Sequence, residues 1–445
     1  MLRRLEKMAR GTLGRIPNRY VGNMLSWLGL LYGPVDRDVP LREAIYKAWR
    51  RPLSGRVGWL HVLGGVSLFL VIVLVTTGIL LSFHYEPSHD AARESVLYIM
   101  TEVASGWLIR GIHNWAASLL VVLMLVHVVR TFFARAYRSP RMGNWYIGML
   151  ILPVVLFFQF TGVILPWDSN AYWSTVEANE LAQTVPIWGS IVTHVAAGTD
   201  ISNITLVRYF ALHTIILPWA LFFLLAFHLR FVRRHGIAPP QWRPGGKRQS
   251  DLDVVVVLRS DGGPEDTSRI EGLLAADEAT CTLLEGTEKT LVQASHCTRE
   301  TVDALALDPI VEEIVPLTHA ARGRAFFPIH FFRVLSAILL TGGILVLLAA
   351  FFTPLVGEAA DAFHRPESAS VEWYFLWFEN MRSLLPAALA FLPVLVLFLF
   401  PILALLWPLI DRHDAKGPRW PWLTPVLGVV CLGVFVFLTV WSSLS

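Results

Sequence analysis

The sequence has 445 residues, of which 54% are hydrophobic and 16% are charged, and its mean hydropathy is +0.53. Soluble proteins of this length carry more charge, so the composition indicates a polytopic membrane protein. The formal net charge of +3 gives no support to nucleic-acid binding. The three cysteines form no CxxC or CxxCH motif. We therefore expect neither an iron–sulfur cluster on this chain nor a c-type haem attached through that motif.

The first twenty residues are basic and contain no apolar stretch of the kind found in a cleavable signal peptide. Leu2, Leu5 and Met8 recur at helical spacing, which predicts a helix lying on the membrane surface. A frayed basic tail is the alternative that the residues leave open. In either case we expect segment 1–55 to be an N-terminal cytoplasmic or interfacial region.

Hydropathy predicts seven membrane-spanning helices, at about 60–83, 112–133, 146–165, 210–232, 327–352, 385–410 and 422–443. Arginine and lysine concentrate at the N-terminus, after the second span and after the fourth span, which lie on one side if the spans alternate. The positive-inside rule then places the N-terminus in the cytoplasm and the C-terminus outside. The predicted fold class is an all-α polytopic membrane protein with seven transmembrane helices.

The second and fourth spans each carry two histidines. His113 and His127 are 14 residues apart, and His213 and His228 are 15 residues apart. At ~100° and ~1.5 Å per residue, each pair lies within ~40–60° of one helix face and ~21–22 Å apart along the axis. The two spans run in the same direction, so we expect His113 to face His213 and His127 to face His228. Ionisable side chains inside a hydrophobic span are costly, and their presence indicates a functional site.

Facing imidazole pairs in an apolar helical bundle are typical of iron held in a porphyrin. We therefore predict two bis-histidine b-type haems in a four-helix bundle, with the four histidines as metal ligands. Unrelated packing histidines are the alternative.

Small and basic residues accompany the histidines. Gly64 and Gly78 in the first span, and Gly148 and Gly162 in the third, repeat the 14-residue spacing. A missing side chain lets a flat ring approach the backbone, although ordinary small-residue helix packing is the alternative. The residues placed to pair with haem propionates, or else to anchor the helices at the interface, are Arg110, Arg130 and Arg208.

Residues 241–325 are charged and interrupt the hydrophobic pattern. Their predicted elements follow the order strand, helix, strand, strand, helix, strand, which is a ferredoxin-like pattern. We predict a small soluble α/β module inserted in a cytoplasmic loop. His296 and Cys297 are too few for a metal site, so we interpret the module as a docking or regulatory domain. The other predicted divisions are a di-haem domain at 56–240 and a three-helix domain at 326–445.

The loop after the fifth span leads into an aromatic stretch that contains Glu372 and Tyr374. A carboxylate in a pocket at the membrane edge can accept a proton from a hydroxyl group and pass it to water. A carboxylate that merely caps a helix is the alternative.

These residues resemble the cytochrome b of quinol-oxidising cytochrome bc and bf complexes. The motifs that carry the resemblance are YIMTEVASGWLIRGIHNWAAS, TGVILPWDSNAYW, LVRYFALHTIILPW and GEAADAF, together with the four histidines. The histidine spacings and the seven spans are similar to the bf branch, with its cytochrome and its subunit IV fused in one chain. The resemblance covers about 57–240 and 326–445.

The resemblance implies a quinol oxidoreductase that works by a Q-cycle in a bacterial cytoplasmic membrane. Quinol would bind on the outer side near Val371–Tyr374, where Glu372 would take one quinol proton and Tyr374 would help to gate the site or form a hydrogen bond in it. One electron would leave to a Rieske iron–sulfur protein and a c-type cytochrome, and the other would cross the membrane through the two haems. Quinone would be reduced near the cytoplasmic face, with His235 and Arg234 as candidate contacts. Solvated loop residues without a role are the alternative for these two positions. A homodimer of the complex is also implied.

Two positions depart from the family pattern. Val371 stands where the motif usually begins with proline, so we expect a less rigid loop. Val62 stands where the bf branch has the cysteine that binds an extra haem covalently, so we predict no third haem.

Two other functions are compatible with parts of the pattern. A non-bifurcating di-haem anchor would exchange electrons between quinone and a dehydrogenase, and a transporter would relay protons through its buried histidines. The Glu372–Tyr374 motif favours a quinol oxidoreductase over the di-haem anchor. A haem absorption spectrum would distinguish these two haem proteins from the transporter, which binds no haem.

Overall fold

A computed structural model describes most of the hydrophobic sequence and the strands and helices of the charged segment. The N-terminal surface helix and Val371 lie outside the described residues. The described ranges are 52–53, 58–138, 141–183, 201–236, 252–258, 264–276, 280–285, 290–297, 299–306, 308, 311–316, 324–325, 330–365, 372–386, 389, 391–411, 413–414, 417–418 and 422–444.

Seven helices of the described chain are long and apolar enough to cross a membrane, which confirms the predicted seven-helix fold class. The spans are numbered one to seven in chain order and are Leu63–Ser82, Gly106–Phe133, Met142–Ile164, Asn203–His235, Phe331–Phe351, Leu392–Ile410 and Leu423–Trp441. The second and fourth spans extend beyond the hydrophobic stretches because their helical hydrogen bonds continue into polar residues at the ends. Gly236 follows the fourth span with φ of +69° and ψ of 179°, a backbone conformation that glycine adopts without the strain other residues would have.

Shorter elements connect the spans. Helices Ala92–Thr101 and Ser169–Gln183 follow the first and third spans, and Leu376–Leu384 precedes the sixth. Single turns of 3₁₀-helix occupy Trp59–His61 and Trp373–Phe375. A two-residue hairpin joins the sixth and seventh spans and pairs His413–Asp414 with Gly417–Pro418.

The chain divides into two compact units. One comprises Gly58–Ala238 and Val334–Ser445, and the other comprises Met1–Val57 and Pro239–Arg333. This division is coarser than the four domains predicted from the sequence, which stay a prediction.

The larger unit is built around the first five spans. The first span packs along the second, and the third packs along the fourth. They share one apolar core, to which a residue after the fifth span also contributes. Its buried members are Leu70, Ala116, Leu120, Val121, Ile151, Val155, Leu221, Leu345 and Tyr374. This packing sets each span that carries histidines along a span that carries two of the glycines.

A buried polar cluster ties the loop after the second span to the end of the sixth span. Arg138 contacts the carboxylate of Asp411 at 2.8 Å, and the Tyr137 hydroxyl donates to the same carboxylate. The indole of Trp407 donates to the Tyr137 oxygen at 3.1 Å. Burial and the hydrogen bond to Asp411 raise the pKa of Tyr137 to about 12, so the phenol stays protonated as the donor.

The smaller unit contains a four-stranded antiparallel sheet. Its spatial order is Thr280–Glu285, Thr290–Cys297, Leu252–Leu258, Val311–Pro316. Along the chain, helix Pro264–Ala276 follows strand Leu252–Leu258, and helix Arg299–Ala306 follows strand Thr290–Cys297. A ferredoxin-like unit has this order of strands and helices. The prediction that the segment is a separate inserted module stays a prediction. Outside the sheet, Pro52–Leu53 pairs with Arg324–Ala325.

Candidate functional site

Four histidines of the second and fourth spans come together as two pairs at different depths. The ring centroids of His113 and His213 are 6.4 Å apart, with an angle of 62° between the ring planes. His127 lies close enough to His228 for the two rings to interact electrostatically. We call the corresponding ends of the bundle the His113 face and the His127 face. The structure thus brings together the pairs that the sequence predicted.

Each histidine ring lies against one of the four glycines. A Cβ atom built at Gly162 would be 2.9 Å from Cε1 of His213, and one at Gly78 would be 3.3 Å from Cε1 of His113. At the other pair, the corresponding distances are 3.3 Å for Gly148 and His228 and 3.7 Å for Gly64 and His127. The 14-residue spacing of these glycines predicts that they lie against the cofactor ring. In the structure the absent side chains leave room for the imidazoles themselves.

A turn of π-helix at Leu212–Ile216 contains His213. A π turn accommodates one more residue than an α turn, so the 15-residue spacing in this span presents its histidines as the 14-residue spacing does in the second span. Pro218 follows the turn and has no backbone N–H to offer the carbonyl four residues earlier, which favours the wider turn. The ~60° offset calculated for a regular α-helix therefore does not apply.

Two threonines missed by the sequence analysis contact the histidines of the His113 face. Thr77 Oγ1 is 2.9 Å from Nδ1 of His113, and Thr161 Oγ1 is 2.9 Å from Nδ1 of His213. Each threonine directly precedes one of the paired glycines, and this repeated Thr-Gly dipeptide is the signal that would have found them. With Nδ1 occupied, Nε2 is the nitrogen left for another ligand.

The histidine geometry fits a haem iron. Imidazole nitrogens bind first-row metals at about 2 Å, so two rings on opposite sides of one ion have centroids roughly 6 Å apart. The separation of His113 and His213 is close to that value. Among the described residues, no group of three or more His, Cys, Asp and Glu side chains could hold a bare metal ion. Two imidazoles without further protein ligands suit an iron whose other positions a porphyrin fills.

The predicted propionate partners lie near the histidines in the sequence and are partly buried. The guanidinium of Arg110 donates to the backbone carbonyls of Pro354 and Leu355, just after the fifth span. Part of its donor set is therefore committed to the protein. Arg130 and Arg208 stay predictions as propionate partners.

His235 and Arg234, the candidates for a quinone site at the His127 face, end the fourth span. The His235 ring stacks on Phe231 with centroids 5.9 Å apart, and the His235 carbonyl accepts from Arg141 at 3.1 Å. Nδ1 of His235 is buried and has no hydrogen-bond partner among the described residues. The quinone contact of His235 stays a prediction.

Glu372 and Tyr374 lie between the fifth and sixth spans. Glu372 precedes the 3₁₀ turn Trp373–Phe375, and burial raises the pKa of its carboxyl above the ordinary value. Tyr374 is 4% exposed and belongs to the apolar core of the bundle, and its hydroxyl has no partner among the described residues. Burial, and then the charge of Glu372, raise the pKa of Tyr374. The pair offers a proton acceptor beside a neutral phenol.

Contacts join the segment after the third span to the segment after the fifth span. Asp168, after the third span, accepts from the amide of Gly357 at 2.9 Å and forms a β-bridge with Ala359. The carbonyl of Gly357 accepts from Arg93 at 2.9 Å. These bonds fix the start of the segment that leads towards Glu372.

Comparison with known proteins agrees with the geometry. The cytochrome b/b6/petB family model matches residues 49–236, which include all four histidines and all four glycines. The menaquinol:cytochrome c reductase cytochrome b subunit of Geobacillus thermodenitrificans is 39% identical over 209 residues, and the match covers 92% of that protein and 46% of this chain. The chain belongs to the cytochrome b/b6 family. The family resemblance predicted from the motifs is confirmed.

Other members of the cytochrome b/b6 family give the same result. The corresponding subunit of Bacillus subtilis (strain 168) is 41% identical, with 92% of it and 46% of this chain covered. Cytochrome b6 of Acaryochloris marina is 38% identical, with 84% of it and 40% of this chain covered. A solved structure described as hyperthermophilic respiratory Complex III matches with a TM-score of 0.66 at 22% identity, over 92% of this chain and 90% of that one. This last likeness concerns the fold.

Proposed function

We propose that the chain is the cytochrome b subunit of a quinol:cytochrome c oxidoreductase of the bc type. The single observation that carries this proposal is the pairing of histidines at two depths, each ring set against a glycine of a neighbouring span. Membership of the cytochrome b/b6 family supports it, and so do the names of the relatives from Geobacillus and Bacillus.

Two b-type haems are the proposed cofactors. His113 and His213 would hold one, and His127 and His228 would hold the other, each through Nε2. When bound, the haems supply one-electron transfer along the bundle. The apolar core residues between the two pairs exclude water from this path. We propose no covalently attached third haem, since Val62 offers no thiol.

Glu372 is the proposed acceptor of one of the two protons that quinol oxidation releases. Its raised pKa brings the carboxyl nearer the operating pH, where a general base works best. Tyr374 would donate a hydrogen bond to a quinol oxygen, because its buried hydroxyl has a hydrogen to give. In the proposed Q-cycle, one quinol electron leaves to a Rieske iron–sulfur protein and then to a c-type cytochrome, and the other enters the bundle at the His113 face.

The remaining parts of the proposal follow the sequence and the family. The His113 face would lie outside a bacterial cytoplasmic membrane, and the N-terminus and the charged segment at 241–325 would lie in the cytoplasm. The complex would be a homodimer that binds quinone and quinol in the membrane. His235 would contact quinone at the His127 face through Nδ1, which has no hydrogen-bond partner among the described residues.

A difference spectrum of the purified complex tests the cofactor assignment. We expect reduced-minus-oxidised b-type bands and two haems per chain, and replacement of any one paired histidine by leucine should remove one haem. His84→Leu is the matched control, because its exposed ring lies outside both pairs. A colourless protein, or two haems in a variant such as His127→Leu, would contradict the proposal.

Steady-state turnover tests the catalytic assignment. Glu372→Gln should slow quinol-dependent reduction of cytochrome c by roughly 100-fold, the usual contribution of a general base, while both haems remain. Glu379→Gln is the matched control, since this carboxylate pairs with Arg382 at 2.8 Å on a partly exposed helix. Unchanged turnover of Glu372→Gln would refute the role.

A further inference from the structure

The histidine pair of the His113 face differs from the other pair in its hydrogen bonds. We propose that Thr77 and Thr161 accept the Nδ1 hydrogens of His113 and His213, and thereby lower the reduction potential of the haem that this pair holds. The inference rests on the proposed haem ligation and concerns two positioning residues that do not touch the iron.

The direction of the hydrogen bonds follows from the threonine hydroxyls. Thr77 donates its own hydrogen to the carbonyl of Val73 at 2.7 Å, and Thr161 donates to the carbonyl of Phe157 at 3.0 Å. A hydroxyl has one hydrogen and two lone pairs. Because the hydrogen is already used, the oxygen facing Nδ1 accepts. Nδ1 must then carry the hydrogen, and Nε2 carries a lone pair that can bind iron.

Ordinary packing of a threonine in an apolar helix does not explain this arrangement. A threonine in such a helix bonds the carbonyl four residues earlier whichever way it faces. Thr76 makes this bond to Ile72 at 2.9 Å and is exposed. Thr77 makes the same bond but is 8% exposed and faces His113, and Thr161 is fully buried. Water therefore has little access to replace either hydroxyl.

The other pair has no such hydroxyls. Gly64 and Gly148, which face His127 and His228, are preceded by Leu63 and Ile147. Among the described residues, Nδ1 of His127 and Nδ1 of His228 have no hydrogen-bond partner. The backbone carbonyl of Asn144 lies near the His228 ring, as the carbonyls of Leu74 and Phe158 lie near the rings of His113 and His213. The two faces therefore differ in the threonine hydroxyls and not in these carbonyls. The residue before the paired glycine is thus threonine at the His113 face and aliphatic at the His127 face.

A hydrogen bond that Nδ1–H donates raises the basicity of the imidazole. A more basic ligand stabilises the oxidised, more positive iron, and so lowers the reduction potential. Two such ligands act on the same iron at the His113 face. The hydroxyls also fix the ring orientation, because each ring is held between its threonine and a glycine of the same helix.

Potentiometry on the purified complex, with each haem followed by its absorption band, tests the inference. Thr77→Val and Thr161→Val should each raise the midpoint potential of one haem and leave the other unchanged, and the double variant should show a larger rise. Thr77→Ser keeps the hydroxyl and should keep the wild-type value. Thr76→Val is the matched control and should change neither haem.

The outcomes separate the inference from the proposed function. Unchanged potentials in the double valine variant with both haems bound would overturn the role of the hydroxyls, as would an equal shift in Thr77→Ser and Thr77→Val. If valine displaces a haem by its shape, Thr77→Ala removes the hydroxyl with less bulk, and its haem must show the same rise. Absence of haem from the wild-type chain would instead refute the proposed cofactor.

Discussion

The carboxylate of Asp168 and the amide of Gly357 join two sequence motifs that are 189 residues apart, at 2.9 Å. One motif follows the third span and the other follows the fifth, so this bond is one of several that connect the ends of these two spans. The adjacent backbone bond from Ser169 to Glu358, also 2.9 Å, extends the contact. Any change that parts these strands is expected to reach the segment that carries Glu372.

Gly357→Ala should disrupt this contact. A Cβ atom there would lie 2.8 Å from Oδ2 of Asp168, which is closer than real Cβ contacts allow. We expect a loss of stability of about 1–3 kcal/mol, typical of overpacking, and slower quinol oxidation. Thermal unfolding in detergent and steady-state turnover measure the two effects. Gly343→Ala is the control, since a Cβ there meets nothing within 4 Å; equal behaviour of the two variants would contradict the expectation.

Gly162→Ala and Gly64→Ala should differ in haem content. The added Cβ would be 2.9 Å from the His213 ring in the first case and 3.7 Å from the His127 ring in the second. The tighter contact must displace the imidazole, whereas the looser one is an ordinary van der Waals distance. We expect one haem per chain for Gly162→Ala and two for Gly64→Ala, measured as pyridine haemochrome. The reverse order would show that these glycines do not position the ligands.

The pH dependence of quinol oxidation should report Glu372. Burial raises the pKa of this carboxyl, and only its ionised form accepts a proton, so the rate should fall as the pH drops through the raised pKa. The acid limb therefore lies above pH 4.5, the ordinary value for glutamate. Glu372→Gln should abolish the limb, and Glu379→Gln should retain it. An acid limb that survives in Glu372→Gln would assign the proton acceptor elsewhere.

Asp411→Asn should destabilise the protein strongly. The Asp411 side chain is 7% exposed and is paired with Arg138, which is 18% exposed, so the substitution leaves a buried cation without its counterion. Breaking a buried pair from one side costs roughly 3–5 kcal/mol. Glu94→Gln removes an exposed partner of Arg93 and should cost about 0–1 kcal/mol. Similar melting temperatures for the two variants would rule out a stabilising role for the buried cluster.

The seven spans and the pairing of histidines could be predicted from the sequence. Hydrophobic runs of membrane length have few folded alternatives, and the spacing of His113 and His127 fixes their depths within a helix. The π turn could not be read in the same way, because it depends on how one helix accommodates an extra residue when packed against its neighbours. The ~60° offset expected from the 15-residue spacing holds only for a regular α-helix, from which the chain departs at this turn.

The polar contacts of the bundle could not be predicted from the sequence either. Thr77 and Thr161 look like ordinary threonines in apolar helices until the structure shows which way they face. The bond between Asp168 and Gly357 joins residues distant in the chain, and no local pattern predicts it. The proximity of Arg110 to His113 in the sequence predicts that it pairs with a propionate. In the structure its guanidinium also donates to a backbone carbonyl after the fifth span. Such choices among partners depend on tertiary packing.

The widened turn at Leu212–Ile216 accommodates one extra residue in the fourth span without moving its histidines off their common face. Removing one residue there would convert it to regular α-helix and would leave His213 and His228 on a common side, as His113 and His127 are. Spacings of 14 and 15 residues are therefore structurally equivalent in this bundle, and a difference of one residue between relatives would not by itself signal a lost ligand.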